Sequence, residues 1–357
     1  MKEIIRHITT RKDARQQRLK GLSGLLGLFS LLGLFSLASC TSGELEVEPP
    51  GGEKTVLQSL MTRSGETENR VGEIRMIVFD KLGKCHVNTT TPKDGMTFVE
   101  QVPTGLLDVY FIANEQGNWK LEEVTSPTIL KEKVLSHTAY PVVDDNNLIP
   151  MFGFVKDVNA VSGDTARIEG EDGKILERLY AKVTLDISCT FADIANTKIN
   201  LDKVLVRSMP AASYLGGKTY TGTNFFDGAD VTPSVSLHGY SPTATGFAAN
   251  GITFYIPEYL ISDKTKYTYL EIHASQADNT LNKRVYTLAI GNSIETLSVD
   301  EMKGSSATLA DLTISRNTHY TFEVAIKGFT QDESLTVNAK VVTWEGVNID
   351  TGYPTYL

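Results

Sequence analysis

The sequence has few cysteines, no closely spaced pair of histidines and no excess of basic residues. Three cysteines in 357 residues are too few for a disulfide scaffold or a cysteine-rich zinc cluster. The six histidines form no His-x-x-x-His pair, and the chain holds neither a Gly-x-Ser-x-Gly motif nor a P-loop. These absences predict a protein that is not an enzyme and that has no cofactor and no metal site.

Two smaller features leave alternatives open. The run Asp144 to Asn147 carries oxygen ligands of the kind that calcium prefers, but a polar turn is the favoured interpretation. Cys85 and Cys189 could form a disulfide in an oxidising compartment, but the sequence does not give the distance between them.

The charge of the chain is divided unevenly. The net charge is -9, and acidic proteins seldom bind nucleic acid, because phosphates are bound by clustered Lys and Arg. Residues 1–39 hold seven of the 34 basic residues and two of the 43 acidic ones, so the rest of the chain has a net charge of -14. A basic leader followed by the uncharged stretch Gly21 to Ala38 is typical of a secretory signal peptide, which we assign to residues 1–39.

The signal peptide ends in Leu37-Ala38-Ser39-Cys40, which resembles a bacterial lipobox. In that motif the thiol of the cysteine accepts a diacylglycerol, and the cysteine becomes the mature N-terminus. Two or three acyl chains anchor a protein firmly, at about 0.8 kcal/mol per buried methylene. The alternative is an ordinary cleavage site with an incidental cysteine. The polar, Pro/Gly-rich residues after Cys40 predict an extended tether.

From Val71 onward the chain shows short apolar alternations separated by turn residues, which is typical of β-strands. Long amphipathic helices are scarce, and many short strands at this spacing predict an all-β fold of β-sandwiches. The length suggests two of them, at residues 64–195 and 196–357, with the join near Thr190 to Thr197. The predicted strands are Thr55 to Met61, Ile74 to Phe79, Leu106 to Ile112, Ala181 to Ser188, Ile252 to Ile256, Tyr267 to Ile272, Arg284 to Ile290, Tyr320 to Ile326 and Leu335 to Trp344.

A series of short motifs, in one order along one lipoprotein, resembles the fimbrillin family of Bacteroidales, the FimA/Mfa-type lipoprotein pilins. Each motif is a strand edge with a turn, and the likeness extends over the whole mature chain. The motifs are Val78 to Gly83, Gly105 to Asn114, Ile149 to Gly153, Arg178 to Val183, Phe254 to Glu258, Arg316 to Tyr320 and the strand that ends at Trp344.

The resemblance implies two transthyretin-like β-sandwiches and a subunit of a surface fimbria. It implies export as a lipoprotein, with residues 40–63 as a lipidated propeptide that an arginine-specific protease removes. Arg63 and Ser64 flank the expected cut, and Arg70 is the rival site. The cut would remove a first strand, and a strand from the next subunit would fill the groove. The apolar residues of the removable strand are Val56, Leu57, Leu60 and Met61.

The donor strand and the type of subunit remain open. The candidate donor residues are Leu335, Val337, Ala339 and Val341, although the same stretch could simply be the last core strand. The expected partners are other fimbrial subunits, the protease, the outer membrane through the lipid, and surface receptors on host or bacterial cells. Stalk, accessory or tip subunit are all compatible with the motifs. The alternatives are a monomeric surface lipoprotein that binds glycan or host protein, and the fimbrial anchor subunit.

Overall fold

The structure is a computed structural model that describes residues 53–60, 67–91, 97–137, 141–168, 174–189, 199–226, 230–231, 248–276, 279–294, 308–326, 335–344 and 347–348. All of these residues belong to one compact unit, Pro49–Leu357. The predicted signal peptide and Cys40 lie outside the described residues. Within the described ranges, no helix is both long enough and apolar enough to cross a membrane.

The described residues are dominated by strands, which confirms the predicted all-β fold. The strands of the first half are β1 (Lys54–Leu60), β2 (Ile74–Asp80), β3 (Cys85–Thr90), β4 (Thr97–Pro103), β5 (Gly105–Ala113), β6 (Val134–Ser136), β7 (Met151–Ala160), β8 (Thr165–Arg167) and β9 (Lys174–Arg178). Those of the second half are β10 (Tyr180–Cys189), β11 (Ile199–Arg207), β12 (Met209–Pro210), β13 (Ala212–Tyr214), β14 (Phe225–Phe226), β15 (Asp230–Val231), β16 (Ala248–Pro257), β17 (Tyr269–Gln276), β18 (Asn279–Ala289), β19 (Thr318–Ile326), β20 (Leu335–Thr343) and β21 (Val347–Asn348).

The helical elements are short. One α-helix, α1, spans Pro127–Lys131, and 3-10 turns span Thr67–Asn69, Leu121–Glu123 and Lys264–Lys266. The α1 helix begins at Ser126, whose side chain accepts a hydrogen bond from the backbone N–H of Ile129, and Pro127 fits the first turn.

The first half is a sandwich of a six-stranded and a three-stranded sheet. The strand orders are β21-β9-β7-β5-β2-β3 and β4-β1-β8, so β21, from the C-terminal end of the described chain, completes a sheet of the first half. Side chains alternate along each strand, so Ile74, Met76 and Val78 of β2 point into the cluster between the two sheets. The intervening Ile77 and Phe79 join a second apolar cluster on the opposite face.

That opposite face is covered by the chain between β5 and β7. Its residues Trp119, Leu121, Val124, Leu130 and Leu135 are all at most 2% exposed. They pack in one cluster with the outward side chains of the six-stranded sheet. The six-stranded sheet is therefore buried on both faces, which explains why β2 and β5 are apolar at nearly every position.

The second half is a sandwich of two four-stranded sheets, in the orders β16-β10-β19-β20 and β15-β11-β17-β18. One apolar cluster fills the space between them. β10 supplies Ala181, Val183, Leu185 and Ile187 to that cluster, all fully buried, and its intervening residues are polar. This is the alternation that the sequence predicts for a half-buried strand.

The pairing of β10 bears on the predicted boundary between the halves. β10 pairs antiparallel with β16 and parallel with β19, so its hydrogen bonds place it with the strands of the second half. The predicted join, Thr190 to Thr197, lies outside the described residues, and the sheet partner changes earlier, between Arg178 and Tyr180. The division into two domains stays a prediction, with β10 grouped with the C-terminal strands.

Candidate functional site

The strand β1 lies in the middle of its sheet. It pairs antiparallel with β4 along all seven residues, from Lys54 opposite Pro103 to Leu60 opposite Thr97. On its other side it pairs parallel with β8, with Val56, Leu57 and Gln58 in register with residues 165–167. Both edges of β1 are therefore occupied by neighbouring strands, although it is the first described strand of the chain.

The side chains on one face of β1 are buried inside the first sandwich. Leu57 is fully buried in the cluster between the two sheets, and Thr55 is 4% exposed. The Thr55 hydroxyl donates a hydrogen bond to the backbone carbonyl of Asp164. Val56, on the alternate face, is half-buried. Thr55 and Leu57 thus fill the groove between β4 and β8, in which β1 provides the middle strand.

The walls of this groove are apolar. Phe98 and Val102 from β4, Ala166 from β8 and Ile168 just beyond it are 0–7% exposed and belong to the same cluster as Leu57. If β1 were absent, these side chains would lose their cover. β4 and β8 would each present an unpaired edge of backbone N–H and C=O groups, which is a template for another strand.

Some of the predicted site residues are among the described residues, and others are not. Val56 and Leu57 lie in β1 and Leu60 is its last residue, but of Val56 and Leu57 only Leu57 faces the buried cluster. That this strand is removable stays a prediction. Met61, Arg63 and Ser64 lie outside the described residues, as does Cys40. The expected cut therefore falls within three residues of the end of β1 along the chain.

The rival cut site, Arg70, lies in a segment tied to the fold. Its backbone carbonyl accepts a hydrogen bond of 2.9 Å from Asn114 Nδ2, and its guanidinium contacts Asp145 at 3.2 Å. The next residue, Val71, is 2% exposed. Because a protease needs an extended, accessible backbone, these contacts make Arg70 a poor substrate.

The residues directly before Arg70 are held to the second half by side chains that sequence reasoning missed. The Glu68 carboxylate accepts hydrogen bonds from Lys182 Nζ at 2.7 Å and from the Tyr255 hydroxyl at 2.6 Å. Burial raises the pKa of Glu68, but these two donors outweigh it and the net pKa is lowered. Arg178 donates to the Glu68 carbonyl at 3.1 Å. The one signal in the sequence was the motif Arg178 to Val183, whose first and fifth residues make these contacts.

The candidate donor strand is an edge strand of its sheet. β20 pairs antiparallel with β19 over nine residues, from Leu335 opposite Ile326 to Thr343 opposite Thr318. Val337, Ala339 and Val341 are half-buried and pack against the core of the second half. In this structure the stretch is therefore the last long strand of the second sandwich, which is the simpler of the two alternatives left open by the sequence.

A polar cleft of about 1060 Å³ is lined by the residues just before β2, by the chain between β5 and β7, and by Tyr180 at the start of β10. Its floor contains His137 and Tyr180, which are 8% and 5% exposed. Burial lowers the pKa of His137 to about 4, so this imidazole is neutral at pH 7. Burial also raises the pKa of Tyr180 to about 12, despite a hydrogen bond from Gln116. The rim carries Arg70, Glu73 and Asn118.

The other candidate groups have structural roles. The Asp144 carboxylate accepts hydrogen bonds from the backbone N–H groups of Asn146 and Asn147, which is the polar turn that the sequence favours. Within the described part of the chain, no group of three His, Cys, Asp or Glu residues could hold a metal ion. Cys85 carries a free, half-buried thiol, and burial raises its pKa. The side chain of Cys189 lies outside the description.

Comparison with known proteins shows a shared fold. The structure superposes on the tip fimbrial protein Mfa3 from Porphyromonas gingivalis, in a C-terminally truncated form, with a TM-score of 0.59 and 18% identity, covering 82% of this chain and 100% of that one. Candidate cell adhesion proteins from Parabacteroides distasonis and Bacteroides eggerthii match with TM-scores of 0.56 and 16% identity. The matches cover 83% and 82% of this chain, and 98% and 97% of theirs. No protein-family model and no curated protein sequence matches the chain.

These structural neighbours are the kind of protein that the sequence motifs resemble. Their identities are below one fifth, so the likeness establishes the architecture and leaves the biological role to be argued from the chain itself.

Proposed function

We propose that this chain is a structural, non-enzymatic subunit of a cell-surface fimbria that assembles by strand exchange. The observation that carries the proposal is the place of β1: a central strand that ends three residues before Arg63. The fold shared with a tip fimbrial protein supports the same reading. In the proposal Cys40 is lipidated, the precursor reaches the outer membrane, and an arginine-specific protease cuts between Arg63 and Ser64.

The cut would separate β1 covalently from the body of the protein. Noncovalent pairing and the burial of Leu57 would still hold it, and full burial of such a side chain contributes about 1.5–3 kcal/mol. A strand from another subunit could then replace β1 by making the same backbone bonds to β4 and β8. Paired along its whole length, such a strand would dissociate slowly, which suits a fibre that bears load.

The decisive experiment compares Arg63→Ala with Arg70→Ala in the native host. In wild-type sheared filaments we expect subunits that begin at Ser64 and run as an SDS-resistant ladder. Arg63→Ala should accumulate uncut precursor and lose the ladder, whereas Arg70→Ala should assemble normally. Normal incorporation of the Arg63→Ala chain into filaments would exclude the assigned cut.

The donor is proposed to be the stretch Leu335 to Val341 of a neighbouring subunit. Donation would require β20 to leave β19, at the cost of a nine-residue ladder. Val99 on β4 is 60% exposed and Asn338 on β20 is also exposed, so cysteines at these positions test the contact. In a Cys85→Ser/Cys189→Ser background, a Val99→Cys/Asn338→Cys chain should form covalent multimers in filaments. Assembly without such cross-links would assign the donor to another segment.

The polar cleft supports a second candidate function, a surface lipoprotein that binds a glycan or host protein as a monomer. Its size suits a small oligosaccharide, and its rim offers the amide of Asn118 and the carboxylate of Glu73 as hydrogen-bonding groups. A chain that stays monomeric, keeps its lipid at Cys40 and loses glycan binding on Asn118→Ala would favour this candidate. A lipid-bearing chain at the base of each filament would instead indicate the fimbrial anchor.

A further inference from the structure

The buried guanidinium of Arg178 lies where the N-terminal and C-terminal segments of the described chain meet. The residue is 1% exposed. Its nitrogens donate to the carbonyl of Glu68 at 3.1 Å, to Asn69 Oδ1, and to Asn317 Oδ1 at 3.1 Å. A buried cation needs such partners, because an unpaired charge in the interior is costly.

The flat face of the same guanidinium is covered by Trp344. The distance from Arg178 Cζ to the centre of the indole ring is 4.2 Å, which is a cation–π contact. Trp344 is 9% exposed, and its backbone N–H donates to the carbonyl of Asn317 at 2.7 Å. Arg178 therefore joins residues 68 and 69 to residue 344 through a single side chain.

A second route connects the same two segments. The ring of Tyr255 stacks on Trp344, with centres 6.1 Å apart and planes at 21°, and its hydroxyl donates to Glu68 Oε1 at 2.6 Å. Just beyond Trp344, β21 pairs with β9, the strand that ends in Arg178. Lys182 Nζ also lies 5.6 Å from the centre of the Trp344 ring and donates to Glu68. Arg178, Tyr255 and Lys182 thus all contact Trp344, and each of them makes a hydrogen bond to the segment Thr67–Asn69.

We infer that the segment Thr67–Asn69 and the segment from Trp344 to Asn348 are energetically coupled through Arg178 and Tyr255. Replacing the Glu68 carboxylate by the neutral amide of glutamine leaves one acceptor oxygen in place of two. It therefore weakens the bonds from Lys182 and Tyr255 and removes negative charge near Arg178. Tyr255 and Arg178 then reorient toward water or new partners, and Trp344 loses the surface on which it packs. Because coupling between two sites is reciprocal, loosening Trp344 also weakens the hold on residues 67–69.

The inference is independent of the proposed fimbrial role. If that role is correct, the segment that would follow the new N-terminus after cleavage is in contact with the segment that follows β20. A loss of contacts at one of these two segments would then lower the local stability of the other segment.

The test is amide hydrogen exchange on the full chain, with Glu68→Gln compared with Glu115→Gln. Glu115 is a matched control, because its carboxylate is 13% exposed and pairs with Arg75 at 2.7 Å rather than with Arg178 or Tyr255. We expect Glu68→Gln to raise exchange at residues 344–348 by about 5-fold or more, with β2 and β5 unchanged. Glu115→Gln should leave residues 344–348 at the wild-type rate.

Substituting the other segment tests the coupling in the opposite direction and distinguishes it from general misfolding of the variant. Trp344→Leu should raise exchange at residues 67–71, and the double variant should show less than the sum of the two single effects. In a Trp119→Phe background Trp344 is the sole tryptophan, so a red shift of its emission in Glu68→Gln gives a second readout. Unchanged exchange at 344–348 in Glu68→Gln, or an equal rise in Glu115→Gln, would overturn the inference.

Discussion

The first and the last long strands of the described chain are held in different ways. β1 has seven residues and is paired on both sides, by β4 and by β8. β20 has nine residues and is paired on one side only, by β19. Leu57 of β1 is fully buried, whereas Val337, Ala339 and Val341 of β20 are half-buried. The shorter strand is the more deeply embedded one.

Because the two strands are held differently, their removal would expose different amounts of apolar surface and of unpaired backbone. Without β20, β19 is still paired with β10, and its four-stranded sheet becomes a three-stranded one. Without β1, β4 and β8 no longer share a sheet, and the apolar cluster of the first half is uncovered between them. β1 is therefore the strand whose replacement would be driven most strongly by burial and backbone pairing.

The largest effect is expected from removing β1 altogether. A chain that begins at Ser64 should not remain a soluble monomer, because two unpaired edges and an apolar groove face solvent. Light scattering after size-exclusion chromatography should show oligomers or aggregates. A synthetic peptide of residues 53–61 should restore the monomer, and the same peptide with Leu57→Asp should not. A stable monomer without any peptide would contradict the central role of β1.

The next effect separates the two strands by single substitutions. Leu57→Ala deletes a fully buried side chain and should lower the free energy of unfolding by about 2–5 kcal/mol. Val337→Ala, on the half-buried edge strand, should lower it by roughly 1 kcal/mol. Urea unfolding measures both. Equal losses would contradict the conclusion that β1 is the more deeply embedded strand.

Acid should distinguish a buried histidine of the first half, His137, from a half-buried histidine of the second half, His273. Burial lowers the folded pKa of His137 to about 4 from an ordinary value of 6.5, so protonation favours the unfolded chain. Stability should fall as the pH drops from about 6.5 toward 4, by roughly 3 kcal/mol in total. His137→Gln should flatten this part of the stability profile, and His273→Gln, a half-buried histidine on β17, serves as the comparison. An unchanged profile in His137→Gln would assign the acid sensitivity elsewhere.

The smallest effect is expected at the tip of the β2–β3 hairpin. Lys81 contacts Asp108 and Asp157, each at 2.6 Å, but its side chain is 40% exposed. Exposed ion pairs contribute little, so Lys81→Met should change the free energy of unfolding far less than Leu57→Ala does. A loss as large as that of Leu57→Ala would show that this hairpin tip supports the first sandwich more than its exposure indicates.

Sequence patterns predicted the strands with a clear apolar period and missed those in which the period is interrupted. β2, β5, β10, β16 and β19 alternate or run apolar through most of their length, and all of them were predicted. Among the described strands of seven or more residues, β4, β7 and β11 were missed. Each contains two adjacent polar residues, Glu100-Gln101, Lys156-Asp157 and Asp202-Lys203 respectively. Two adjacent polar residues break the two-residue period on which strand prediction depends.

The candidate site was predicted in part. The alternation from Thr55 to Met61 located β1, and the resemblance to fimbrillins suggested the cut after Arg63, which stays a prediction. Nothing local indicated that β1 would be flanked on both sides, because its partners lie some 40 and 110 residues further along the chain. Glu68 was missed for the same reason, since its partners Lys182 and Tyr255 are separated from it by 114 and 187 positions.

The sequence by itself determined that the described chain is all-β and where nine of its twelve strands of seven or more residues lie, because side-chain alternation is a local property of an extended backbone. It also determined the uneven charge and the motifs that resemble fimbrillins. Only the tertiary structure decided that β1 is central and β20 is at an edge, and that Arg178 joins the two ends of the described chain. Those outcomes depend on pairing between distant segments, and that pairing is selected by how well whole faces are buried together.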